Sequence, residues 1–138
     1  MDAKLSTHGL HDAAQMGMRA AIGVIFIVHG FGKFGNPGFG GWISSMGIPA
    51  EMQIPIALAE FIPGILLLLG VLTRISASLI SIVMLGAIFL VKGGTSLTGD
   101  AGYELDLILL AACLVVIVAG PGRVSLSYAL KKVPRVLQ

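Results

Sequence analysis

Residues 52–92, MQIPIALAEFIPGILLLLGVLTRISASLISIVMLGAIFLVK, contain two long apolar runs separated by little more than Thr73 and Arg74. A helix that crosses the hydrocarbon core of a bilayer needs about 20 mostly apolar residues. These runs therefore predict two membrane spans, at about residues 52–72 and 75–92. Because the connection between them is very short, we expect the two helices to be antiparallel neighbours.

Two further apolar runs flank this pair, at about residues 14–34 and 103–120. Backbone N–H and C=O groups in lipid must find partners within their own segment, so all four runs are predicted to be helices. The predicted fold class is all-α: an integral membrane four-helix bundle over residues 14–127. Residues 1–13 and 128–138 are predicted to be tails outside the bilayer.

The composition also indicates a membrane protein. Hydrophobic residues make up 56% of the 138 residues and charged residues 12%, whereas soluble domains have about 45–50% and about 25%. A net charge of +2 gives no reason to expect a nucleic-acid partner. The expected partners are membrane lipid and either other membrane subunits or further copies of this chain.

Lys and Arg residues are distributed unevenly between the two sides of the predicted bundle. One side carries Lys4, Arg74, Arg123, Lys131, Lys132 and Arg135, and the other carries Lys33 and Lys92. Short loops rich in Lys and Arg stay on the cytoplasmic side. We therefore predict a multi-pass protein of the cell membrane whose N- and C-termini are both cytoplasmic.

The loop after the first span contains Phe39, Trp42, Ile43 and Met46, which follow the i, i+3, i+4, i+7 spacing of one helix face. This pattern predicts a short amphipathic helix on the outer membrane surface, where Trp is favoured; the alternative is an irregular loop. A second surface helix is predicted over residues 126–137. Its Lys131, Lys132 and Arg135 would face anionic headgroups.

Ionisable residues within membrane spans are rare and mark candidate sites. The candidates are Glu60 and His29 as catalytic residues, and Arg19, Lys33, Glu104, Asp106 and Trp42 as ligand-binding residues. We expect a polar pocket, open to the outer side, around His29, Lys33, Glu60, Glu104 and Asp106. The chain contains one Cys and three His, which is poor support for a metal site, and none is predicted.

Glu60 precedes Pro63 by three residues. Proline cannot donate a hydrogen bond to the carbonyl of Ala59 and is expected to kink the helix. A freed carbonyl at this depth must find a partner or line a cavity. Two interpretations of Glu60 stay open, namely a ligand or proton site and an ion pair with Arg19. The glycines predicted to permit close helix approach are Gly23, Gly30, Gly64, Gly70 and Gly86.

An ordered set of segments resembles the DoxX family. It consists of Arg19 with HGFGKF at 29–34, FGGWISSMGIP at 39–49, LAEFIPGILLLLGVLTRISA at 58–77, GYELDLILLAACL at 102–114 and GPGRVSLS at 120–127. The resemblance implies a compact four-helix membrane fold. It places the polar positions of the family at Arg19, Lys33, Glu60, Arg74, Glu104 and Arg123. Ser127 departs from the family, in which an acidic residue often stands there.

Some members of this family are subunits of a membrane oxidoreductase that passes electrons from thiosulfate to quinone. Others are associated with terminal oxidases or thiol-redox partners. The first predicted function is therefore a subunit of a quinone-linked oxidoreductase, in which His29 and Glu60 contact a bound quinone. The alternatives are an accessory subunit of a larger membrane complex and a small-molecule or proton carrier. No cofactor motif is evident in the chain, so a quinone is the one cofactor considered.

Overall fold

The computed structural model describes residues 9–130, 134 and 137–138, and all regular structure in these residues is helical. The helices are α1 (Gly9–Lys33), α2 (Pro37–Ser45), α3 (Gln53–Leu69), α4 (Thr73–Gly86), α5 (Glu104–Ala119) and α6 (Leu126–Leu130). A 3-10 turn, Ala50–Met52, leads into α3, and a π-helical turn, Ala87–Val91, continues α4. The prediction of an all-α membrane fold is confirmed.

Within the described residues, three helical stretches are long and apolar enough to cross a membrane, namely Gly9–Lys33, Ala50–Leu69 and Thr73–Val91. The fourth long helix, α5, has 16 residues and is roughly 24 Å long at a rise of about 1.5 Å per residue. It packs along α4 and completes the bundle. The described part of α1 already includes residues 9–13, ahead of the predicted start of the span at residue 14.

The two ends of the bundle differ in what they carry. At one end, the Gln53 side chain donates hydrogen bonds to the carbonyls of Lys33, at 2.7 Å, and Asn36, at 2.8 Å. We call this the α2 end, because α2 lies there. At the opposite end, the N–H of Ser127 donates to the carbonyl of Gly70. The N–H of Arg123 donates to Asp12 there, so this end gathers the N-terminal part of α1 and the segment after α5.

Helices α1 and α3 pack with their backbones in close contact. A Cβ atom added to Gly23 would lie 2.7 Å from the carbonyl oxygen of Gly64, and one added to Gly64 would lie 2.9 Å from that of Gly23. Gly30 lies equally close to the backbone of Phe61. Small residues let helices approach and gain dispersion energy where lipid supplies no hydrophobic driving force. This contact fixes α1 against α3.

The turn between α3 and α4 occupies Gly70, Val71 and Leu72. Gly70 adopts a left-handed conformation, with φ of 73°, and its N–H donates to the carbonyl of Leu66. Glycine tolerates this conformation because it has no Cβ atom. The reversal makes α3 and α4 antiparallel neighbours. They meet α1 and α5 in a core built from Ile22, Phe26, Leu67, Ala77, Ile80, Met84, Leu109, Cys113 and Val116.

The predicted helix in the first loop is present as α2. The side chain of Asn36 accepts a hydrogen bond from the N–H of Gly38 at 3.0 Å and so caps the helix, with Pro37 in its first turn. Near the C-terminus the described helix is α6, Leu126–Leu130. The rest of the predicted surface helix, with Lys131, Lys132 and Arg135, lies outside the described residues, as does Lys4.

Candidate ligand-binding cleft

A cleft of about 500 Å³ lies at the α2 end, between α3 and α4, with α2 beside it. Its lining is mainly apolar, and it also contains His29, Lys33, Glu60, Lys92 and Asp106. This volume falls within the range of about 300–1,000 Å³ that is usual for small-molecule sites. The site is therefore large enough for the head group of an organic ligand.

One ion pair joins α1 to α3 inside the cleft. Nζ of Lys33 lies 2.5 Å from Oε2 of Glu60, and the two side chains are 21% and 6% exposed. Side chains on a helix tilt toward its N-terminus. Lys33, at the C-terminal end of α1, therefore points back along the helix into the bundle, where its ammonium group also donates to the carbonyl of His29 at 3.4 Å.

A second ion pair joins the end of the π-helical turn to α5. Nζ of Lys92 lies 2.5 Å from Oδ2 of Asp106 and 3.0 Å from the carbonyl oxygen of Gly102. The side chains of Lys92 and Asp106 are 25% and 12% exposed. From the sequence, Lys92 is only a charge at the end of a predicted span, and its place in the cleft is not predicted. The signal available was the pair of acidic residues, Glu104 and Asp106, in the first turn of a helix whose remaining residues are apolar.

The suggested ion pair between Arg19 and Glu60 is wrong. Nε and Nη2 of Arg19 donate to the carbonyls of Leu67 and Val124, both at 2.7 Å, and Nη1 donates to that of Pro121. Arg19 lies roughly 21 Å along α1 from Lys33, and its side chain tilts toward the opposite end, away from Glu60. Arg19 is therefore buried in a structural network outside the cleft.

The remaining predicted residues divide between the cleft and its surroundings. His29 and Trp42 both line the cleft and are exposed, and the His29 ring packs edge-on against Phe26. Glu104 is exposed and does not line the cleft, because it lies on a different face of α5 from Asp106. The cleft thus brings together five of the predicted residues, His29, Lys33, Trp42, Glu60 and Asp106, without Arg19 and Glu104.

The apolar stripe of α2 faces the cleft. Phe39, Trp42, Ile43 and Met46 all line it, and Ile43 is buried. From the sequence, Trp42 is predicted to bind a ligand and the stripe as a whole to lie on the membrane surface; in the structure all four residues of the stripe line the cleft. The physical reason is that the bundle offers an apolar surface beside α2, on which Ile43 is buried.

The π-helical turn forms a part of the cleft lining that the sequence did not indicate. In the π-helical turn, the N–H of Lys92 donates to the carbonyl of Ala87, five residues back, at 3.0 Å. Such turns are found frequently at functional sites. Ala87, Leu90 and Val91 of this turn line the cleft. The turn therefore positions both an apolar wall and the Lys92 ammonium group.

Two backbone features give a ligand space and a hydrogen-bond acceptor in the cleft. Gly86 was expected to allow close helix packing, but an added Cβ atom there would meet nothing within 4 Å, and the residue lines the cleft. Its missing side chain leaves space in the cleft. Ala59 also lines the cleft, and its carbonyl receives no helical hydrogen bond from Pro63, although α3 runs through Pro63 as one helix.

Among residues 9–130, 134 and 137–138, no group of three or more His, Cys, Asp or Glu side chains could hold a metal ion. The ionisable groups of the cleft are two ammonium and two carboxylate groups held in pairs, together with one imidazole. Such a set can donate and accept hydrogen bonds and move protons.

Comparisons with known proteins place this fold in a family. The DoxX family profile matches residues 14–93. A protein of Bacillus subtilis named "Putative oxidoreductase CatD" is 38% identical over 93 residues, covering 67% of this chain and 69% of that protein. An uncharacterized protein of Haemophilus influenzae is 36% identical over 88 residues, covering 62% of this chain and 58% of that protein.

A third relative covers more of the chain. An uncharacterized membrane protein of Mycobacterium tuberculosis is 34% identical over 130 residues, covering 83% of this chain and 80% of that protein. No solved structure matches the chain. The matched residues 14–93 include most of α1, all of α2 to α4 and six charged or aromatic cleft residues, namely His29, Lys33, Phe39, Trp42, Glu60 and Lys92. The chain is a membrane protein that belongs to the DoxX family.

Proposed function

We propose that this chain is the membrane subunit of a quinone-linked oxidoreductase and that its cleft binds the quinone head group. The relative named as an oxidoreductase supports the reaction class. In this proposal the electrons come from a partner protein, as the thiosulfate:quinone enzymes of the family suggest. The accessory-subunit and carrier functions remain the alternatives.

The observation that carries the proposal is the charge balance of the cleft. Its two ammonium groups and two carboxylates form two complete ion pairs, Lys33–Glu60 and Lys92–Asp106. A charged ligand would have to separate one pair, and a buried charge that loses its partner typically costs about 3–5 kcal/mol. An uncharged ring with polar oxygens at its edge meets no such penalty. A quinone has this chemistry.

Quinone reduction adds two electrons and two protons to the bound ring. The partner protein supplies the electrons, and the chain's own residues bind the ring and transfer the protons. The Lys33 and Lys92 ammonium groups can donate hydrogen bonds to carbonyl oxygens. Glu60 and Asp106 hold these ammonium groups in place. The Ala59 carbonyl can accept a hydrogen bond from a hydroxyl group of the reduced ring. The exposed His29 can exchange protons between the cleft and its surroundings.

Trp42 gives a direct test, because it is the single Trp of the chain and lines the cleft. The purified protein in nanodiscs is titrated with a tail-free benzoquinone, and the fluorescence of Trp42 is recorded. We expect saturable quenching. Gly86→Leu should weaken it at least about tenfold, or about 1.4 kcal/mol, because the new side chain fills the cleft.

Gly17→Leu is the matched control, since Gly17 also lies in a helix with nothing within 4 Å of an added Cβ atom, but outside the cleft. It should bind as the unmodified protein does. Equal, non-saturating quenching in all three proteins would contradict quinone binding in the cleft. Mass spectrometry of the protein purified in mild detergent then separates the functions. Bound quinone favours the oxidoreductase, whereas a stoichiometric complex without it favours the accessory subunit.

A further inference from the structure

The exposed part of the cleft is mainly apolar. Leu90 is 74% exposed, Trp42 47% and Val91 37%, although all three line the cleft. The charged side chains that line it are at most 25% exposed. His29, on α1, is the one polar residue among the exposed lining residues. A pocket that opened into water on this side would have a polar rim around an apolar interior.

The position of this apolar rim along the bundle identifies its surroundings. Leu90 and Val91 belong to the candidate span Thr73–Val91, and Lys92 follows them directly. Trp42 lies opposite on α2, and Trp is favoured at the boundary between headgroups and hydrocarbon. A rim that combines the end of a candidate span with a Trp is expected at the boundary between headgroups and hydrocarbon, not in bulk water.

From this arrangement we infer that the cleft opens sideways into the bilayer and takes a ligand that carries a long apolar tail. The polar head of the ligand lies between the two ion pairs, and its tail leaves over Val91 and Leu90, below Trp42. The inference rests on the proposed function for the identity of the head group. It adds the class of substrate, a molecule dissolved in the membrane, and the route by which it reaches the site.

The path follows from the chain order at the π-helical turn. Lys92 contacts Asp106 within the cleft, whereas Val91 and Leu90, the two residues before it, are exposed at the rim. A ligand whose head contacts the Lys92 ammonium group therefore lies beside the apolar surface of Val91 and Leu90. This surface extends to the exposed edge of the cleft. Gly86, one helical turn before Leu90, has no side chain to obstruct this route.

Photolabelling of the full-length protein in nanodiscs tests the inference. Two benzoquinone probes with the same ten-carbon tail are used, one with a photoreactive diazirine near the ring and one with the diazirine in the middle of the tail. After irradiation, labelled residues are identified by peptide mass spectrometry, with and without an excess of unlabelled quinone. We expect the tail probe to label Trp42, Leu90 and Val91, and the excess quinone to reduce this labelling at least tenfold.

The variants sharpen the result. Gly86→Leu should reduce the competed labelling at least tenfold, and Gly17→Leu should leave it unchanged. If the ring probe gives competed labelling in the cleft but the tail probe labels residues 93–103 or the loop before α2, the sideways opening is wrong while quinone binding stands. If neither probe gives labelling that the excess quinone reduces, both the inference and the proposed function are overturned.

Discussion

At the scale of single residues, the Lys33–Glu60 pair is asymmetric. The Glu60 side chain is 6% exposed, and that of Lys33 is 21% exposed at the end of a helix. A lysine that loses its partner can extend along its apolar stem to the membrane surface. A buried glutamate in the middle of α3 has no such route. The two residues should therefore differ in what their removal costs.

We expect Lys33→Met to lower the free energy of unfolding by about 3 kcal/mol, because it leaves the Glu60 carboxylate buried without its partner. Glu60→Gln should cost about 1 kcal/mol, since the hydrogen bond weakens but no buried charge is stranded. The double variant should be more stable than Lys33→Met alone. Denaturation of the four proteins in mixed micelles measures this. A larger loss for Glu60→Gln than for Lys33→Met would contradict the asymmetry.

At the scale of the elements, the contact between α1 and α3 depends on glycine. In Gly23→Ala the new methyl group would lie 2.7 Å from the Gly64 carbonyl oxygen, which belongs to a helix backbone. Either the helices separate or the contact is strained, and we expect a loss of about 2 kcal/mol or more in the free energy of unfolding. Thermal and chemical denaturation in detergent provide the measurement.

Gly17→Ala, on the same helix, is the control for the glycine contact. It is exposed and meets nothing within 4 Å, so alanine should be neutral or stabilising by up to about 1 kcal/mol. Equal effects of the two substitutions would show that the close contact of α1 and α3 does not stabilise the bundle.

The position of α2 predicts that Trp42 contacts lipid as well as the cleft. Trp42 lines the cleft but leaves about half of its surface exposed, at 47%. We expect its fluorescence to be quenched by lipids brominated at shallow depth in the acyl chain, because the exposed part of the indole should lie at the interface. Quenching by an aqueous quencher such as iodide, with none from the brominated lipids, would place α2 in water and contradict this prediction.

At the scale of the whole molecule, the orientation in the membrane stays a prediction from Lys and Arg. The structure adds that Lys33 and Lys92, at the α2 end, both direct their ammonium groups into the bundle. We expect a reporter fused after Gln138 to be cytoplasmic and one inserted near Asn36 to be external. Alkaline phosphatase and green fluorescent protein fusions distinguish the two sides, and the reverse result would place the α2 end and its cleft on the cytoplasmic side.

The sequence by itself determined the helical membrane fold and four of the five ionisable residues that line the cleft. Apolar runs of sufficient length must form helices in lipid because no other local structure satisfies their backbone groups. The i, i+3, i+4, i+7 pattern was enough for α2, and the rarity of charges in spans was enough to single out His29, Lys33, Glu60 and Asp106. These signals depend only on residue types and on residues close together in the chain, so a single sequence is enough to recognise them.

The tertiary structure alone decided which charges meet. Glu60 pairs with Lys33 and not with Arg19. Side chains of α1 tilt toward its N-terminus, so Lys33 points toward Glu60, whereas Arg19, which lies nearer the N-terminus, points away from it. The π-helical turn places Lys92 in the cleft. Gly86 leaves space in the cleft, although close helix packing was expected there. Such outcomes depend on which helices are neighbours and on offsets of several ångströms along them. A hydrophobic pattern does not encode these quantities.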